Sequence, residues 1–295
     1  MSRVARSALA LALVTVGLAL AAPATAHAQR RHVLPEVPGE AKPVIHLITM
    51  GVGALIWERH GHIALCVQYD DPRADACYNY GIGDFAHPLA MAWGFFRANG
   101  AFWVGKTGPE DLLRYVDADR TVWAQPLPLT AEQKQKVIAK LEDDILPEHR
   151  AYAYDHFWDN CTTRVRDILD NATGGALSKM TETTDGRTYR ELAREGFYGM
   201  RLPLLATDLA MGRVTDRVPT YYERMFLPQY LREAATTLWH VEPVVLYARR
   251  GPPPLSDAPS GRGLLALAIL ALTAPAWLAR RRWPRLGLAI AIAPY

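Results

Sequence analysis

The sequence predicts an α+β domain, β-rich in its first half and α-rich in its second, carried between two apolar ends of the chain. Three observations predict it. Short apolar runs bounded by glycine, proline and aspartate fill the stretch from Val44 to Leu127. Apolar residues at helical spacing take over from Thr130. The β-rich half carries a histidine, His62, at the start of one run, and the α-rich half carries a cysteine, Cys161, at a helix start.

Val44–Met50 reads as a buried strand, broken by Gly51 and Gly53. His62 to Tyr69 and Cys77 to Ile82 read as two further strands, with the turn Asp70-Asp71-Pro72-Arg73 between them. Phe85 to Asn99 mixes aromatic and small residues. Ala101 to Lys106 and Arg120 to Leu127 complete the β-rich half. Thr130 and Gln133 stand at capping-box spacing, so a helix opens there; Val137, Ile138, Leu141 and Ile145 give its apolar face, and Pro147 ends it. A second helix starts at Asp159-Asn160-Cys161, buries Cys161, Val165, Ile168 and Leu169, and stops at Gly174-Gly175. Helical pieces follow over Thr188 to Glu195, Leu204 to Met211 and Tyr221 to Ala235, and Val241 to Tyr247 is a last β-like run.

The two ends speak of export. Arg3 and Arg6, an apolar stretch from Ala8 to Ala22 and the small-x-small triplet Ala26-His27-Ala28 read as a signal peptide over 1–28. Residues 29–250 form the exported domain and 251–262 a linker with prolines at 252–254. The uncharged run 263–279 reads as a transmembrane helix. The segment 280–295 begins with Arg280, Arg281 and Arg282 and ends in a partial second apolar stretch. Basic residues beside a span stay in the cytoplasm, so the domain faces the periplasm from the inner membrane.

Half of the residues are hydrophobic and the net charge is +3, without a basic run in the domain, which argues against a nucleic-acid partner. No cofactor motif stands out. Three cysteines enter an oxidising compartment, which leaves one unpaired. If Cys66 and Cys77 flank a hairpin loop, they can pair, and Cys161 is then the free thiol.

Cys161 is the candidate nucleophile. Orphan N–H groups and the positive end of the dipole at a helix start favour thiolate, and the same N–H groups can hold an oxyanion. A thiol nucleophile needs an imidazole, and His62 is the best placed. Asn79, on the next strand, is the candidate third group that fixes the imidazole tautomer. Against these roles, a cysteine on an apolar helix face is often plain core and a single histidine is often structural. His60 and His62 share a strand face, but no carboxylate or further histidine stands at ligand spacing, so no metal is expected. Arg164 and Arg166 read first as a salt-bridged helix face and second as a grip for a lipid phosphate.

Several stretches resemble the periplasmic N-terminal domain of the Lnb lipoprotein N-acyltransferases. They are Gly61-His62-Ile63-Ala64-Leu65, Tyr78-Asn79-Tyr80-Gly81-Ile82-Gly83-Asp84-Phe85, Gln125-Pro126-Leu127-Pro128-Leu129-Thr130, the run from Tyr152 through Asp159-Asn160-Cys161-Thr162-Thr163 to Arg164, and Met225-Phe226-Leu227-Pro228. The resemblance implies a permuted papain-like (NlpC-like) fold with His62 and Cys161 as the catalytic pair. It implies an acyl-thioester on Cys161, a membrane phospholipid as acyl donor and the amino-terminal cysteine of a lipoprotein as acceptor. A papain-like peptidase or amidase of the cell envelope uses the same pair with water as acceptor, and a non-catalytic binding module uses neither.

Overall fold

The computed structural model describes residues 33–83, 87, 94, 101–255 and 262–282. The expected signal peptide 1–28, most of the Phe85–Asn99 stretch and the segment after 282 lie outside the described residues. Residues from Leu34 onward fall into one unit, described here by itself.

A seven-stranded antiparallel sheet forms the frame, with strands β1 (Val44–Met50), β2 (His62–Gln68), β3 (Ala76–Gly83), β4 (Ala101–Thr107), β5 (Val122–Leu127), β6 (Ala151–Ala153) and β7 (Val244–Tyr247) in the order β6-β4-β3-β2-β1-β5-β7. The apolar run of β1 is buried at every position, as befits a central strand covered on both faces. The Asp70–Arg73 turn closes the β2–β3 hairpin. It sets Cys66 directly opposite Cys77, and the two form the disulfide. Cys161 is the one free cysteine among the described residues.

One face of the sheet carries Ile45, Leu47, Ile63, Leu65, Val67, Tyr78, Tyr80 and Val104 into the main core. Three helices cover it: α2 (Ala131–Asp144), α3 (Cys161–Ala172) and α7 (Pro228–Trp239). The short α1 (Leu113–Asp117) precedes them between β4 and β5. Helices α4 (Tyr189–Glu195), α5 (Arg201–Ala210) and α6 (Tyr221–Arg224) lie in the chain between α3 and α7. The capping box expected at Thr130 and Gln133 is formed. The helix expected over Tyr221 to Ala235 is instead two, because the Met225–Leu227 turn intervenes and Pro228 opens a new helix at its first position.

Helix α8 (Arg262–Arg282) stands where a membrane span was expected, with Pro275 inside it. Among the described residues no helix is long and apolar enough to cross a membrane. The uncharged run 263–279 reaches about 25 Å at helical rise, short of a bilayer core of about 30 Å. Its leucines are exposed, except the half-buried Leu265.

Candidate functional site

The site forms where the β2–β3 ladder stops. The strands pair from Val67–Ala76 to Ala64–Asn79, after which β3 becomes irregular against β4 and Gly81 turns to φ +79°. A side chain at Gly81 would sit 3.4 Å from Cys161 Cβ and 3.8 Å from the Tyr152 hydroxyl. A Cβ there would only touch the start of α3; it is the positive φ of the break that calls for glycine. There the Cys161 thiol meets the backbone N–H of Ile63, the residue after His62. Its side chain also lies 3.8 Å from Thr162 Oγ1.

Asn160 fixes this helix start. Its Oδ1 accepts from Thr162 N (2.8 Å) and Thr163 N (2.9 Å), and its Nδ2 donates to the carbonyls of His156 (2.6 Å) and Phe226 (2.9 Å). Thr163 closes the box by accepting from Asn160 N at 2.8 Å. Asp-Asn-Cys therefore folds locally as expected, with Asn160 as the N-cap and Cys161 as the first helical residue.

Two opposing effects set the charge state of the thiol. The N–H groups of Ile63 and of the first turn, with Thr162, do favour thiolate. Desolvation outweighs them and pushes the Cys161 thiol above its ordinary value. The helix start favours thiolate as expected, and burial adds a larger opposing effect that the sequence did not reveal.

His62 is partly exposed at the head of β2, and its side chain leaves the sheet on the face opposite α3, with Met50 beside it. Its ring stacks on Tyr115 of α1 at 5.9 Å. Desolvation first, then the positive charges of Arg120 and Arg114, lower its pKa to about 3. It is thus a neutral imidazole at physiological pH. Asn79 shares the face of His62, one pair along the diagonal, and as a hydrogen-bonding neighbour it favours the protonated ring. The contact is loose. Asn79 Oδ1 has no partner of good geometry, while Nδ2 reaches Thr107 Oγ1 at 3.5 Å.

Sequence reasoning missed three neighbours. Tyr115 supports the imidazole. Arg120 is buried, donates to Gly51 O (2.9 Å) and Glu58 (3.2 Å), sits over the Tyr115 ring, and feels both His62 and Cys161 electrostatically. Tyr152 lies beside the thiol with its hydroxyl buried. The Tyr152-Ala153-Tyr154 run was a visible signal for the last; nothing local marks the other two. Arg164 lies over the Tyr152 ring at 3.7 Å and pairs with Asp159, and Arg166 pairs with Asp167, which is the salt-bridged helix face read from the sequence. His60 is not part of β2. Its Nε2 meets Ala193 O at 2.7 Å and its ring packs on His156. Among the described residues no cluster suits a metal ion.

An antiparallel sheet broken beside a histidine strand, with a capped cysteine helix seated in the break, defines an α+β domain that brings one free thiol toward one imidazole strand. The family model described as Lnb N-terminal periplasmic domain matches residues 41–195, more than half of the chain, and the chain belongs to that family. No curated protein and no solved structure matches it.

Proposed function

We propose that this protein is a lipoprotein N-acyltransferase whose acyl-enzyme is a thioester on Cys161. The observation that carries the reading is the seating of the free Cys161 at a capped helix start against the N–H of Ile63, the residue that follows His62 in β2, within the part of the chain that matches the family. Both partners are neutral at rest, so the chemistry is general-base rather than ion-pair. As Cys161 sulfur attacks the ester carbonyl of a membrane phospholipid, His62 takes the thiol proton. The new C–S bond forms, the ester C–O bond breaks, and the imidazolium gives its proton to the departing lyso-lipid alkoxide. The neutral α-amine of a lipoprotein's first cysteine then attacks the thioester. Its proton passes through His62 to the leaving thiolate, and an amide remains. On this reading the His62 ring swings off Tyr115 and around the end of β2 to reach the sulfur when substrate binds. Tyr152 and the first-turn N–H groups face the carbonyl oxygen as donors. Asn79 then orients the ring.

The papain-like (NlpC-like) permutation belongs to this proposal: the histidine strand precedes the cysteine helix, and the helix packs on the sheet beside it. So does attachment of the domain to the periplasmic side of the inner membrane through α8. A helix that is apolar all round and uncovered needs lipid or protein around it. The test is to incubate the full chain with phospholipid vesicles without acceptor and read Cys161 by mass spectrometry. A fatty-acyl mass that hydroxylamine removes is expected for the natural chain and not for His62→Ala. Release of free fatty acid with no acyl-enzyme and no acceptor transfer supports a hydrolase in its place.

A further inference from the structure

Two groups of uncovered apolar side chains lie at one end of the sheet. Leu55, Ile56 and Trp57, between β1 and β2, are 49%, 43% and 40% exposed. On α5, Leu202, Ala206 and Leu209 stand at i, i+4 and i+7, which places them on one stripe. The two leucines are 73% and 64% exposed. The stripe faces outward because the rest of α5 is tied down. Leu204 is buried, Arg190 donates to the carbonyls of Asp208 (2.7 Å) and Met211 (2.9 Å), and Arg194 pairs with Asp208.

Both features belong to the same end. Arg59, two residues after Trp57, donates to Gly196 O at 2.7 Å and Tyr198 O at 3.1 Å, in the loop that leads into α5. The chain also leaves the domain here. Arg249 donates to Val52 O at 3.4 Å, and Asp119 accepts from Arg250 N and Gly251 N, each at 2.8 Å. Leu255 lies against Gly199, where a Cβ would come within 2.5 Å of its Cδ1. Arg262, the first residue of the apolar helix α8, is then at most about 25 Å of extended chain away. Arg201 and Arg213 are exposed at the two flanks of α5, a charge that suits anionic headgroups. His62 lies at this end too, since β1 finishes at Met50 opposite it, while the Arg73 hairpin lies at the far end.

We propose that this end of the domain, the Leu55–Trp57 turn together with the outward stripe of α5, rests on the surface of the lipid bilayer. The placement rests on the attachment of α8 to that bilayer in the reading above. It keeps the His62 end of the sheet near the level where phospholipid esters lie.

The test needs no turnover. In the full chain carrying Cys161→Ser, the Cys66–Cys77 disulfide leaves no free thiol, so a nitroxide can be attached singly at Ile56→Cys, Leu209→Cys or Arg73→Cys. Each protein is reconstituted in vesicles of phosphatidylethanolamine and phosphatidylglycerol. The expected result is a ratio of oxygen to water-soluble nickel relaxant accessibility that is several-fold higher at 56 and 209 than at 73. Hydrogen exchange of the natural chain gives a second readout, with peptides covering 52–58 and 200–210 slowing several-fold on vesicles relative to detergent. Equal accessibility at all three positions with unchanged exchange overturns the proposal. So does dipolar broadening between labels at 56 or 209, which assigns the face to a second copy of the chain. Docking without acyl transfer leaves this inference standing and removes the proposed chemistry; acyl transfer without docking does the reverse.

Discussion

Burial sets the charge of Cys161. The Ile63 N–H and the first turn of α3 favour thiolate, yet desolvation holds the thiol above its ordinary value near 9. His62 stays neutral because desolvation, Arg120 and Arg114 oppose its protonation. Alkylation of Cys161 by iodoacetamide is therefore expected to be slow at neutral pH and to rise with a midpoint above 9, read by the mass of the modified protein. A midpoint in the acid range would reveal a thiolate–imidazolium pair instead. Gly81 is the second residue on which the site turns. Its φ of +79° costs a side-chain-bearing residue about 1–2 kcal/mol, and an added Cβ meets Cys161 Cβ at 3.4 Å. Gly81→Ala is expected to lower the free energy of unfolding in urea by that amount and to slow alkylation of Cys161. Unchanged stability would mean that the break in β3 is not held by this glycine.

At the scale of elements, the start of α3 depends on Asn160, whose side chain accepts from two amides and donates to two carbonyls. Asn160→Ala removes the cap and leaves buried amides and carbonyls without partners. The expected cost is about 2–4 kcal/mol in chemical denaturation, and a loss under about 0.5 kcal/mol would contradict the role given to the cap. Asn160→Asp keeps the acceptor and is expected to recover part of it. The elements were largely legible in the sequence. β1 is an apolar run stopped by Gly51, the β2–β3 hairpin is announced by Asp70–Arg73, and the capping pairs at Thr130 and Asn160 mark helix starts through purely local hydrogen bonds. The split at Pro228 was not read, although proline at a first helical position is a local signal. Tyr115 and Arg120 were out of reach, because they meet His62 only after α1 folds back onto the sheet. The raised thiol pKa was illegible for the same kind of reason: the helix start is local, and desolvation is a property of everything packed around it.

For the whole molecule, four histidines share one electrostatic fate. His46, His60, His62 and His156 are all lowered, desolvation being the largest cause in each, with His46 at about 4 and His62 at about 3. In the unfolded chain they take up protons as pH falls through about 6.5, while the folded chain excludes them. Their contribution to stability is full above 6.5 and is lost as pH falls toward the folded values, at about 1.4 kcal/mol per pH unit for each histidine. Urea unfolding at pH about 7 and about 5 is expected to show this loss, and equal stability at both would contradict it. The same molecule joins a buried thiol site, an uncovered apolar end and the apolar helix α8 along one chain, an arrangement suited to substrates that live in lipid. The account stands or falls on the acyl group itself. The most direct measurement is mass spectrometry of lipoprotein amino-termini from a bacterium that lacks its own N-acyltransferase and expresses either the natural chain or Cys161→Ala at equal levels. The account predicts a fatty-acyl mass on the α-amine with the natural chain and none with Cys161→Ala; an unmodified amine in both, with both proteins folded and membrane-bound, would contradict it.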